Sequence, residues 1–252
     1  MTVVFVAGAT GRLGSEIVRS LLGQGVRTRA LVRPTAGKAD VARALADQGA
    51  IIVEGSVSGA PEDLAPSMFR LDEGDNVFLD HRRKAHAAFA GSPVAVTSVL
   101  NGAFVEVMTA PFLEIVDWTN ATFSLWGDGD QPCDFTTVAD TAAYTAAVAL
   151  DPGTTGRPVR VAGDVLTMKE FHAALERGSG RSLELRRQGT ADELAAEIER
   201  RKAGASGPED FVALQYLWAM ITGKAKLDPP DNERYPGVRP TNVVEFARRF
   251  AV

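Results

Sequence analysis

The chain has 252 residues, of which 45% are apolar and 23% charged, with a net charge of −5. That length holds one large core, or a main domain with a smaller lobe, and the composition is that of a globular protein. Scattered Lys and Arg leave no basic face for nucleic acid, and no apolar run reaches the length of a membrane span.

The first element is the apolar run Val3-Val4-Phe5-Val6-Ala7, which leads into Gly8-Ala9-Thr10-Gly11-Arg12-Leu13-Gly14. A helical pattern follows, with Leu13, Ile17, Val18, Leu21 and Leu22 on one face, and ends at Gly23 and Gly25. Strand, GxxGxxG turn and amphipathic helix in that order form the first βα unit of a dinucleotide-binding fold. Gly8 permits the tight turn, Gly11 lets the backbone approach a pyrophosphate, and Gly14 lets the helix lie close on the strand. The helix N-terminus offers unpaired N–H groups and the positive end of its dipole. A plain structural βα turn is the bland alternative.

A second strand is predicted over Thr28 to Arg33, closed by Pro34, then a helix near Ala39 to Gln48 and a third strand over Ala50 to Glu54. This alternation predicts a parallel sheet with helices on its faces. After Gly55 the rhythm breaks. Another strand with its crossover helix needs about thirty residues, and Pro66-Ser67-Met68-Phe69 follows Leu64 too soon to leave room. A helix near Phe78 to Phe89 and a buried strand over Val94 to Leu100 resume the pattern.

Gly127-Asp128-Gly129-Asp130, between two short apolar runs, reads as a hairpin turn. No downstream bidentate Glu makes it a calcium loop. Helices are expected over Val138 to Leu150, from Thr167 to Arg177, from Thr190 to Lys202 and from Pro208 to Thr222, with a strand over Pro158 to Val161. On the last helix Phe211, Leu214, Trp218 and Ile221 form a stripe that is core or the wall of a pocket. His81, His86 and His172 show no metal-site spacing, so no metal is expected. The single Cys133 excludes an internal disulfide and fits a reducing, cytoplasmic setting.

Several pieces, in order, resemble the NmrA-like and isoflavone-reductase-like group of atypical short-chain dehydrogenase/reductases. They are the glycine turn at 8–14, Leu31-Val32-Arg33-Pro34, Pro66-Ser67-Met68-Phe69, Asn101-Gly102-Ala103-Phe104, Trp126-Gly127-Asp128-Gly129 and Asp134 through Asp140. Arg234-Tyr235-Pro236 and Pro240-Thr241 complete the set. The resemblance implies a Rossmann-like, doubly wound parallel sheet over residues 1–166 and a smaller, mainly helical substrate lobe over 167–252. It also implies NADP(H) and hydride transfer to a small aromatic, quinone or enone-like substrate. Relatives carry a further strand and helix where Asp63-Leu64-Ala65 runs into Pro66, so the sheet is expected to have one strand fewer.

The cofactor can be argued from the residues as well. An NAD site places Asp or Glu about twenty residues beyond the glycines; here Arg33 stands there, and no carboxylate follows until Asp40. Arg12 lies inside the turn itself. Two guanidiniums suit a 2′-phosphate dianion; solvated surface arginines are the alternative. Gly8, Thr10, Gly11, Arg12, Leu13 and Gly14 are expected to hold the pyrophosphate and adjacent groups, Arg33 the 2′-phosphate, and Ser56 and Val57 the adenine. Ser67 and Phe69 are placed on the nicotinamide side, and Asn101 and Phe104 near the nicotinamide or substrate.

No Tyr-x-x-x-Lys pair is present: Tyr144, Tyr216 and Tyr235 have no Lys four residues on. Isoflavone-reductase-like enzymes use a Lys on the helix before the Val94-to-Leu100 strand. That resemblance points to His81 or Lys84 as proton donor, with a solvated basic helical face as the equal alternative. The chain thus reads as an NADP(H)-dependent reductase. Its rivals are a redox sensor that binds NADP(H) and reports to a protein partner, and an inactive relative.

Overall fold

In the computed structural model, residues 2–33, 36–55, 74–88 and 95–251 are described. The architecture is α/β with parallel strands. β1 (Val3–Val6), α1 (Arg12–Gly23), β2 (Arg27–Val32), α2 (Ala39–Asp47) and β3 (Ile51–Glu54) build a parallel sheet in the order β1-β2-β3. Val6, Ala30 and Leu45 are buried with Val18 and Leu21 of α1 in one core cluster, with Val4 and Ile52 packed against it. The opposite face carries the exposed side chains of Val3, Phe5 and Ile51. Among the described residues β1 pairs with β2 alone. The break expected after Leu64 falls within residues 56–73, outside the described ones.

α3 (Val77–Ala88) leads to β4 (Val99–Leu100), β5 (Ala103–Phe104) and the single turn α4 (Val105–Met108). The expected seven-residue strand is shorter. Among its described residues, 95–100, only Val99 and Leu100 ladder with a partner, β9 (Val159–Arg160), in parallel. β6 (Val116–Asp117), β7 (Thr122–Trp126) and β8 (Pro132–Thr136) precede α5 (Val138–Ala149), which packs along α1. After β9 come β10 (Asp164–Thr167), α6 (Met168–Ser179), β11 (Glu184–Gly189), α7 (Ala191–Gly204), α8 (Val212–Ile221) and α9 (Val243–Ala247).

Helix starts follow local chemistry. Thr167 and Thr190 each accept from the N–H three residues on, while Glu170 and Glu193 accept from the cap N–H, forming capping boxes on α6 and α7.

Gly127 to Asp130 does not make the expected hairpin. Gly127 and Gly129 adopt positive φ, but the turn sends its flanking strands into different sheets. β7 pairs with β6 and, in parallel, with β11; β8 pairs with β5 in parallel and with β10 antiparallel. Phe123, Leu125, Phe135 and Phe171 then meet in the largest core, which extends from Leu79 to Ala247.

The segment after α8 is strapped back along α5 and β9. Asp231 accepts from the Arg160 N–H at 2.9 Å and from Arg157 at 3.2 Å. Asn232 donates to the Ala162 carbonyl and to the Tyr144 hydroxyl. Arg234 grips Asp151 with two hydrogen bonds, at 2.5 and 2.9 Å, which hold that carboxyl down at about 2. A depressed carboxylate contributes stability above the ordinary carboxylate range and loses it only as pH falls towards 2. The Arg234–Asp151 pair therefore survives mild acid.

Candidate nucleotide site

The glycine turn needs glycine at Gly8 for its positive φ and at Gly14 for a close backbone contact. Gly8 has φ +70°, and its carbonyl accepts from the Gly11 N–H at 2.9 Å. A Cβ on Gly14 would lie 2.2 Å from the Gly8 carbonyl oxygen, whereas one on Gly11 would lie 3.2 Å from it. Gly14 thus sets how closely α1 approaches the end of β1. Gly11 is the N-cap of α1 and has no side chain to cover the helix end, and the first turn contains no carboxylate. The first α1 bond runs from the Ser15 N–H to the Gly11 carbonyl, so the N–H groups of Arg12, Leu13 and Gly14 have no partner within the helix. Thr10 and Leu13 are half-buried beside this opening.

The N-terminus of α5 is closed instead. Glu106 of α4 accepts from the Val138 N–H at 3.0 and 3.1 Å, and the Thr137 side chain accepts from the Asp140 N–H. A carboxylate therefore already complements the α5 dipole, whereas among the described residues no side chain caps the α1 end, which can take an external anion. Arg12 lies 4.0 Å from Glu106, with its side chain 65% exposed. This pair links the glycine turn to α4, which begins directly after Phe104.

Arg33 is exposed just beyond β2, where Gly55 donates to the Val32 carbonyl. Asn101 is buried; its carbonyl accepts from the Thr136 hydroxyl at 2.8 Å, and its amide donates to the Gly102 carbonyl. Phe104 is half-buried and caps α4 in extended conformation. Lys84 is exposed on α3, and His81 lies on the same helix with its side chain outside the described set. Ser56, Val57, Ser67 and Phe69 also fall outside the described residues. Cys133 is buried, and burial first, then Asp134, pushes its thiol up to about 12. It is thereby a packing residue and not a nucleophile.

Sequence spacing did not single out Glu106, Asp134 or Lys226. Lys226 donates to Asp134 at 2.7 Å across 92 positions of sequence. No local signal announces such a pair.

With this geometry in place, the chain can be set beside known proteins. The NmrA-like family model matches residues 1–104. Beyond this matched segment a likeness to known proteins extends over 99% of the chain. Pinoresinol reductase 1 of Arabidopsis thaliana is 24% identical over 308 positions, covering 99% of this chain and 97% of the relative. Those 308 positions exceed the 252 residues here, so the relative has residues without a counterpart in this chain. The crystal structure of isoflavone reductase superposes with a TM-score of 0.83 at 21% identity, covering 99% of both chains. The binary complex of leucoanthocyanidin reductase and NADPH from Vitis vinifera gives 0.78 at 19%, again covering 99% of both. The fold is that of these Rossmann-like reductases. Among the described residues no helix is long and apolar enough to cross a membrane, and no cluster of side chains could hold a metal ion.

Proposed function

We propose that the chain is an NADP(H)-dependent oxidoreductase that transfers hydride to a small conjugated, quinone or carbonyl substrate. The observation that carries this reading is the open α1 N-terminus, with glycines at 8, 11 and 14 packed so that a pyrophosphate can meet the helix N–H groups. The leucoanthocyanidin reductase complex contains NADPH on the same fold, and the Arabidopsis relative is a pinoresinol reductase. When bound, NADPH supplies the hydride. Residues 1–166 would hold it and 167–252 would form the substrate lobe, with Asn101 and Phe104 near the reacting end. Titration with NADPH, followed by a screen of quinones and enones for NADPH oxidation, tests the reading; absence of NADPH binding refutes it.

Arg33, exposed at the end of β2, is assigned to the 2′-phosphate. A hydrogen bond between charged groups contributes about 1.5–3 kcal/mol, which is about 10- to 150-fold in affinity. Arg33→Asp should therefore remove or reverse a preference for NADPH over NADH, measured as the ratio of dissociation constants. Equal constants in the unmutated protein would refute the assignment.

A second reading is a sensor that binds NADP(H) without turnover and reports to a protein partner. The exposure of Lys84 favours it, since a general acid works best away from bulk water and Lys84 faces solvent. For a reductase, Lys84→Ala or His81→Ala should lower kcat by about 10²-fold or more and leave NADPH affinity nearly unchanged. If neither variant changes kcat in an active protein, the proton comes from water or substrate.

A further inference from the structure

The turn Asn101-Gly102-Ala103-Phe104 is held from one side by β8. Ala103 and Phe104 pair with Phe135 and Thr136, and the Thr136 hydroxyl donates to the Asn101 carbonyl. Gly102 has φ +64°, and a Cβ there would lie 2.4 Å from the Asp134 carbonyl oxygen and 2.7 Å from the Asp134 Cβ. The turn therefore rests directly on Asp134. The Asp134 side chain has no solvent exposure. Its two oxygens accept from Lys226 Nζ at 2.7 Å and from the Leu227 N–H at 2.6 Å. Lys226 also donates to the Leu227 carbonyl. Gly102, Ala103 and Lys226 line one small cavity together with Cys133, Met220 and Ala225. The segment following α8 thus holds the side chain of the residue on which the turn rests.

We propose that Lys226 is a positioning residue: through Asp134 it fixes the Asn101–Phe104 turn against the reacting end of the cofactor. This rests on the reductase reading, which places that turn by the nicotinamide. Lys226 does not touch the reacting atoms. Its charge ties the Asp134 side chain to the segment after α8, and Gly102 packs against the Cβ and backbone carbonyl of that same residue. A displacement of about 1 Å in a group that orients substrate can cost about 10²-fold in rate, while the pyrophosphate is held by the glycine turn and not by residues 101–104.

The test compares wild type, Lys226→Met and Lys226→Arg in three measurements: amide hydrogen exchange at residues 101–104, the NADPH dissociation constant, and kcat and KM for a quinone that the wild type reduces. In Lys226→Met, exchange at 101–104 should rise and kcat should fall by about 10- to 100-fold, with NADPH affinity within about twofold. Lys226→Arg, which restores a cation to Asp134, should recover most of kcat. If Lys226→Met does not fold, Lys226→Gln, which keeps a donor for Asp134, takes its place with the same expectations. Unchanged exchange at 101–104 overturns the proposal, and so does increased exchange with unchanged kcat. A wild type that binds no NADPH refutes the reductase reading and this role with it. In a wild type that binds NADPH without turnover, the fluorescence of the bound nicotinamide replaces kcat, and unchanged emission in Lys226→Met overturns the proposal alone.

Discussion

Gly14→Val is expected to lose both NADPH binding and fold stability, while Gly11→Val loses binding alone. The difference lies in what each new Cβ would meet. At Gly14 the nearest atoms are the Gly8 carbonyl oxygen at 2.2 Å, its carbon at 2.8 Å and Ala9 Cα at 3.2 Å. All three are backbone, so α1 must move off the end of β1, and Val18 and Leu21 would leave their cluster with Val6 and Ala30. Overpacking a tight site costs about 1–3 kcal/mol, and this contact belongs at the upper end. In a chain of this size about 3 kcal/mol lowers Tm by about 6–12 °C. At Gly11 the contact is 3.2 Å, and φ is −76°, where a branched residue is allowed. The fold should tolerate valine there, but its methyl groups would cover the helix N–H groups at the point where the pyrophosphate approaches. Thermal unfolding and NADPH titration on both variants separate the cases. A wild-type Tm for Gly14→Val would mean that α1 does not rest on Gly8, and wild-type NADPH affinity in Gly11→Val would place the pyrophosphate elsewhere.

The parts of this molecule legible in the sequence are those whose cause is local. The β1 turn and α1 follow from glycine spacing and a 3.6-residue apolar period, both contained in some twenty residues. α6 and α7 are announced by Thr167 with Glu170 and Thr190 with Glu193, which are short-range capping patterns. β11 is the opposite case. Its sequence, Glu184-Leu185-Arg186-Arg187-Gln188-Gly189, is largely polar and exposed, with no buried face to give an alternating pattern. It is a strand because its backbone pairs with β7, about sixty residues away.

The misreading of 127–130 has the same origin. Two glycines with positive φ announce a turn, but which strands lie beside it depends also on β5, β10 and β11, all remote from it in sequence. For the site, the glycine turn could be read from its motif. Glu106, which closes α5 and faces Arg12, could not: its partners are a backbone N–H 32 residues on and a side chain far upstream. Charge pairs of this kind are consequences of the fold and leave no periodic trace.

Asp134→Ala should be among the most destabilising single changes available in the chain. Removing one partner of a buried ion pair typically costs about 3–5 kcal/mol, because the remaining charge stays desolvated. Here Asp134 is fully enclosed and the Lys226 side chain is 20% exposed, so the ammonium can recover part of its hydration by turning outwards. The expected cost is therefore nearer the lower bound, about 3 kcal/mol. The Leu227 N–H would lose its acceptor as well, adding the penalty of an unpaired buried donor, about 1–3 kcal/mol. Asp134→Asn keeps an oxygen for Leu227 and loses only the charge, so it should cost less than the alanine change. Adding Lys226→Ala to Asp134→Ala should cost less than the two single effects together, since the second change removes the charge that the first leaves stranded. Urea unfolding of the wild type, Asp134→Ala, Asp134→Asn, Lys226→Ala and the double variant at constant m measures all of this. A cost below about 1 kcal/mol for Asp134→Ala, the size expected of a solvent-exposed pair, would show that water screens Asp134 and Lys226 from each other. The link between the segment after α8 and the Asn101–Phe104 turn would then be too weak to hold that turn in place.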